Sequence, residues 1–70
     1  MPKRSKIQLK NTLVKLRQEK KITQNELALI LGVTRQTIIA LEKQRYSPSL
    51  ILGMRIAGYF GKKVEDVFKI

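Results

Sequence analysis

The sequence predicts an all-α domain of five short helices around one core. Three observations predict it. Apolar residues recur at helical spacing through most of the 70-residue chain. Residues that cap helix starts, Asn11, Thr23, Thr34 and Ser49, stand just before the periodic stretches. Gly32, Pro48 and Gly61 fall singly between those stretches and act as punctuation. At this length the chain is one domain, residues 1–70, with a basic arm over 1–8.

Asn11 is the expected N-cap of a first helix over 12–20, with Leu13 and Leu16 inward at i, i+3 and Ile22 as a buried loop residue after it. Thr23 and Glu26 have capping-box spacing and open a second helix over 24–31, where Leu27, Ala28 and Leu31 share a face. Gly32 stands where a left-handed residue closes a helix. Thr34 caps a third helix over 35–43. At about 100° per residue, Thr37, Ile38 and Leu41 gather on one side, and Arg35, Gln36, Ile39, Ala40 and Lys43 spread over the other. Ser49 caps a fourth helix over 50–60, with Gly53, Ile56, Ala57 and Phe60 inward, and Gly61 ends it. A short fifth helix over 64–68 closes the chain. Ile7 and Leu9, and again Phe68 and Ile70, alternate with polar neighbours. Two readings follow: a short terminal two-stranded β pairing, or the plainer one of a frayed tail and a last helical turn.

Composition narrows the function. Fifteen Lys and Arg against five Asp and Glu give a formal charge of +10, which calls for an anionic partner: nucleic acid, an acidic membrane surface or an acidic protein. With no Cys and no His, disulfides, thiolate chemistry, imidazole catalysis and His/Cys metal sites all fall away. No apolar run approaches the ~18 residues of a membrane span. The basic start, Lys3, Arg4 and Lys6, is followed by no apolar segment, so a signal peptide is not expected and a cytoplasmic location is. Those three cations read either as a solubilising tail or as an arm reaching DNA.

The informative stretch is 24–43. A helix ending at Gly32, a short turn, a Thr cap and a second helix with a polar, cationic outer face make a helix-turn-helix. The run Thr23-Gln24-Asn25-Glu26-Leu27-Ala28, then Leu31-Gly32-Val33-Thr34-Arg35-Gln36-Thr37-Ile38, then Leu41-Glu42, then Tyr46-Ser47-Pro48-Ser49-Leu50 resembles the Cro/CI-type (XRE) helix-turn-helix family. It is most similar to short stand-alone bacterial or phage regulators of the cytolysin-repressor type, and the likeness extends over about residues 9–68. The resemblance implies a lambda-repressor-like fold and roles for particular residues. Gln24 matches a phosphate-clamping glutamine. Thr34, Arg35, Gln36 and Thr37 match the start of the recognition helix, where Arg35 suits guanine and Gln36 suits adenine. Ala40 matches a base-contacting position but offers a thymine methyl at most, and Ile39 shares that face. Lys43, Arg45 and Tyr46 match a loop that grips the phosphate backbone, and Arg17 with Glu42 matches a salt bridge between the first and third helices. Lys21 and Gln44 stand where relatives carry Gly, so a left-handed conformation at either costs about 1 kcal/mol. Lys63 is a poor N-cap for the fifth helix.

Leu29, Ile51 and Met54 fall on outer faces and, with Val64 and Val67, are a candidate dimer surface. Two-fold regulators of this kind set their recognition helices about 34 Å apart. Glu26, Glu42, Glu65 and Asp66 form no acid/base pair, so catalysis is not expected. The expected function is a sequence-specific double-stranded DNA-binding transcriptional regulator, a homodimeric repressor that needs no cofactor or metal. Three alternatives stand beside it. One is an antitoxin or phage-type module whose protein partner matters as much as its DNA. Another is RNA binding, disfavoured by few exposed aromatics. The last is membrane-surface binding by a basic helix.

Overall fold

Short elements alternate with tight turns in a computed structural model that describes residues 10–69. In chain order they are β1 (Lys10–Asn11), α1 (Leu13–Glu19), α2 (Gln24–Leu31), α3 (Arg35–Glu42), α4 (Leu50–Tyr59), α5 (Val64–Val67) and β2 (Phe68–Lys69). Leu13 and Leu16 of α1, Leu27, Ala28 and Leu31 of α2, Ile38 and Leu41 of α3, and Leu52, Ile56 and Ala57 of α4 meet in one core with Val67 and Phe68. Helices of this length are marginal alone, so it is this packing that holds them.

Local chemistry sets most boundaries. The Thr23 hydroxyl accepts the Glu26 N–H at 3.0 Å while Glu26 Oε1 accepts the Thr23 N–H at 2.8 Å. Ser49 Oγ caps α4 by accepting the Leu52 N–H at 3.1 Å. Gly32 and Gly61 close their helices with positive φ, 74° and 67°. Lys21 and Gln44 also take left-handed backbone, φ 58° and 59°, the strained conformation that glycine relieves. At α5 a lysine ammonium has no acceptor to offer, so only the reciprocal half of a cap forms, from the Lys63 N–H to Asp66 Oδ2 at 3.3 Å.

The ends pair. β1 and β2 run antiparallel, Lys10 opposite Lys69 and Asn11 opposite Phe68, and the Thr12 N–H extends the ladder to the Val67 carbonyl at 3.0 Å. The plainer reading of the C-terminal end, a last helical turn at Phe68, is therefore corrected: α5 stops at Val67 and Phe68 is extended. Extension buries the Phe68 ring in the core near Gly53, where an added Cβ would lie 3.8 Å from it. On the other side, α1 begins at Leu13, and Asn11 serves it from the strand by accepting the Leu13 N–H on Oδ1 at 3.0 Å. Ile7, Leu9, Ile70 and the basic arm over 1–8 lie outside the described residues.

Val67 is a second correction. It has 0 % exposure and belongs to the core, so its side chain is not on a surface open to a partner. Val64 and Val67 are three apart and share one helix face, and that face is the one α5 turns inward; Val64 packs half-buried against the same core.

Candidate nucleic-acid interface

The turn between α2 and α3 is held by Gly32 in left-handed conformation and by the Val33 N–H, which donates to the Ala28 carbonyl at 3.0 Å. Ala28 is buried at the crossing, where its small side chain leaves room for α3. Thr34 then starts α3: its hydroxyl accepts the Thr37 N–H at 3.2 Å and lies 3.1 Å from the Thr37 hydroxyl. Ile38 and Leu41 fix the inner side of α3 in the core. The opposite side presents Arg35, Gln36 and Lys43 exposed, with Ile39 and Ala40 half-buried between them. Thr37 sits half-buried at the edge of that face, its hydroxyl turned to its own cap. After α3, the Arg45 N–H returns to the Ala40 carbonyl at 3.0 Å and Gln44 makes the left-handed turn, leaving Arg45 and Tyr46 exposed beside the helix end.

Arg17 and Glu42 form an ion pair that ties α1 to α3. Arg17 Nε donates to Glu42 Oε2 at 2.7 Å and Nη2 to Oε1 at 3.3 Å, with only 14 % and 5 % of the two side chains exposed. A third arginine donor, Nη1, reaches the Ile22 carbonyl at 3.0 Å. Gln24 joins the group: its Nε2 donates to Glu42 Oε1 at 2.9 Å. One amide proton of Gln24 is thus committed internally, and one remains for another acceptor.

An open notch of about 520 Å³ lies beside this network, bounded by Arg17, Lys21, Gln24, Asn25 and Arg35 among others. It brings the first turn of α2 next to the first residue of α3. The helix macrodipole and the early N–H groups of α2 favour an anion there, and Lys21 and Arg35 reinforce it, the charge of Arg17 being paired with Glu42. The notch and the outer face of α3 meet at Arg35.

The structure brings together Gln24, Thr34, Arg35, Gln36, Ile39, Ala40 and Lys43, with Arg45 and Tyr46 at the end of α3, and leaves Val64 and Val67 away on α5. Sequence reasoning passed over Lys21 and Asn25 as lining residues. The available signal was their position just before and just inside the α2 cap. It also passed over the second role of Asn11, whose Nδ2 donates to the Leu41 carbonyl at 2.8 Å and satisfies the C-terminal end of α3. Among the described residues no helix is long and apolar enough to cross a membrane.

The chain matches the helix-turn-helix family over residues 13–67. It is 53 % identical over 60 residues to an uncharacterized HTH-type transcriptional regulator of Methanocaldococcus jannaschii, covering 86 % of this chain and 91 % of that one. A second such regulator, from Methanothermobacter thermautotrophicus, is 64 % identical over 53 residues, 74 % of this chain and 77 % of its own. A third, from Bacillus subtilis, is 45 % identical over 60 residues, 86 % and 91 % of the two chains.

Proposed function

We propose that this chain, which belongs to the helix-turn-helix family, is a transcriptional regulator that binds double-stranded DNA in the major groove through α3 and acts as a homodimeric repressor by occupying its site. The observation that carries this reading is the two-sided character of α3. Its inner side is locked by Ile38 and Leu41, and its outer side presents Arg35, Gln36 and Lys43 exposed. Phosphate contacts from Gln24, Lys43, Arg45 and Tyr46 set the register, and Arg35 and Gln36, with Thr34 and Thr37 at the helix start, address base edges.

The homodimer reading draws on α4. Leu50, Ile51 and Met54 are 74 %, 71 % and 56 % exposed and share the face opposite Leu52, Ile56 and Ala57. Beside them an apolar groove of about 280 Å³ runs between Pro48, Gly53, Val64 and Phe68. Protruding side chains next to a groove on one patch are what an isologous two-fold contact uses, since each copy supplies both. This patch takes the place of Val67.

Fluorescence anisotropy tests the function. The duplex upstream of the chain's own gene is titrated beside a scrambled duplex of equal length, from about 50 to about 200 mM salt. A preference of at least ~10³ for the native duplex at physiological salt supports a sequence reader. If that duplex and duplexes selected from a random library all bind no better than the scrambled one, the proposal is overturned. Sedimentation of the free protein tests the dimer: wild type as two copies and Ile51→Glu as one copy is expected, and a wild-type monomer bound to an asymmetric footprint contradicts it.

A further inference from the structure

Resting on the reading of α3 as the element that enters the major groove, we propose that Ile39, with Ala40 beside it, reads the 5-methyl group of thymine. The DNA bound by this chain then carries an A·T pair under the middle of α3, with its thymine methyl turned to Ile39.

The argument starts from position. At about 100° per residue, Arg35 and Lys43 lie one turn before and after Ile39 on the same strip of α3, Gln36 lies alongside, and Ala40 flanks it on the next row. Ile39 therefore lies on the outer face between Arg35 and Lys43, half-buried, with polar neighbours beside it. It is not there to fill the core. That work on α3 is done by Ile38 and Leu41, which have 0 % exposure, and the half-buried apolar side chains packed on the core are Ile22, Val33, Tyr59, Phe60 and Val64.

The chemistry of the groove does the rest. Each base pair displays acceptors and donors there, and the thymine methyl is its one apolar feature. An isoleucine pressed on guanine O6, adenine N6 or cytosine N4 strips water from a polar group and returns no hydrogen bond. Against a methyl it removes apolar surface from water on both sides. Its branched Cβ holds χ1 nearly fixed in a helix, so little side-chain freedom is lost on contact. Thr37 does not compete for this role, because it sits at the edge of the face with its hydroxyl 3.1 Å from that of Thr34. Ala40 enlarges the apolar spot by one methyl group without adding a donor or acceptor.

Uracil isolates the methyl. A duplex is first enriched from a random library with the wild-type protein. It is then resynthesised with each thymine replaced singly by deoxyuridine, and affinities are measured for wild type, Ile39→Ala and Ile39→Gln. At one thymine of each half-site, uracil is expected to weaken wild type about fourfold, the value of one methylene-sized contact of about 0.8 kcal/mol converted at 1.4 kcal/mol per tenfold. Both variants are expected to bind the thymine and uracil duplexes alike. Wild type needs no folding control, and the variants are checked by their unfolding midpoints, which a residue outside the core leaves in place. An enriched duplex in which no uracil substitution matters, or one whose thymine preference survives Ile39→Ala, overturns the methyl reading alone. Failure to enrich any duplex overturns the DNA-reading function and this inference with it.

Discussion

Removing the Glu42 side chain is expected to nearly unfold this domain. The carboxylate is 5 % exposed and accepts from Arg17 Nε at 2.7 Å, Arg17 Nη2 at 3.3 Å and Gln24 Nε2 at 2.9 Å. In Glu42→Ala the guanidinium, 14 % exposed in the intact pair, keeps one of these protein acceptors, the Ile22 carbonyl at 3.0 Å. Leaving a buried charge unpaired in this way costs about 3–5 kcal/mol. A domain of this size is stable by roughly 3–10 kcal/mol in total. Each kcal/mol moves the midpoint by about 4–8 °C, so a fall of at least about 12 °C is expected. Thermal melts followed by far-UV circular dichroism read this directly. The paired replacement Arg17→Met with Glu42→Leu removes both charges and keeps apolar volume, and such exchanges are often neutral or stabilising. It should therefore restore the midpoint while releasing Gln24 from its tether. A Glu42→Ala midpoint within about 4 °C of wild type, or a double variant no more stable than the single one, would refute the reasoning: water would then be screening the pair, and the network would not hold the helices.

The other predictions use smaller terms. Gln44→Gly relieves the left-handed strain at φ 59° and should gain about 1 kcal/mol, seen as a raised midpoint; an unchanged midpoint means the loop carries no such strain. Lys63→Ser supplies the acceptor that α5 lacks and should gain about 0.5–1 kcal/mol in urea unfolding. Arg35→Ala should cost about 1–3 kcal/mol at a selected duplex and relax the base preference at one position, whereas equal weakening on all duplexes makes Arg35 a phosphate contact. Lys43→Ala should lower the log–log salt slope of binding by about 0.9, and an unaltered slope removes Lys43 from the interface.

What could be read from the sequence was local. The bounds of α2, the Thr23–Glu26 box, the Gly32 turn and the Thr34 and Ser49 caps each depend on residues within four positions, so spacing alone specifies them. Pairing over distance was legible only as one of two readings. The alternation at both ends of the chain suggested a terminal ladder, and the register of Lys10–Asn11 against Phe68–Lys69 is fixed by the core and not by either end alone. Val67 went astray because four residues of α5 are too few to fix which side faces in; the core decides that. The phosphate role of Gln24 is what the resemblance implies, and its bond to Glu42 is set by how α2 and α3 cross. The Arg17–Glu42 pair was anticipated from a resemblance, since the spacing of two residues on different helices carries no phase.

The same non-local ties explain how so short a reading helix can hold its shape. Eight residues cannot sustain a helix in water, and the outer side of α3 contributes no fully buried residue to the core. Its start is fixed by Thr34, its inner side by Ile38 and Leu41, and its last turn by bonds from elsewhere: Asn11 Nδ2 to the Leu41 carbonyl, and Arg17 and Gln24 to Glu42. Asn11 is itself paired with Phe68 across the terminal ladder, so the chain ends brace the C-terminal end of α3 through one side chain. Loosening that ladder should therefore fray α3 near Glu42 before it disturbs Arg35, and amide exchange along α3 would show that gradient.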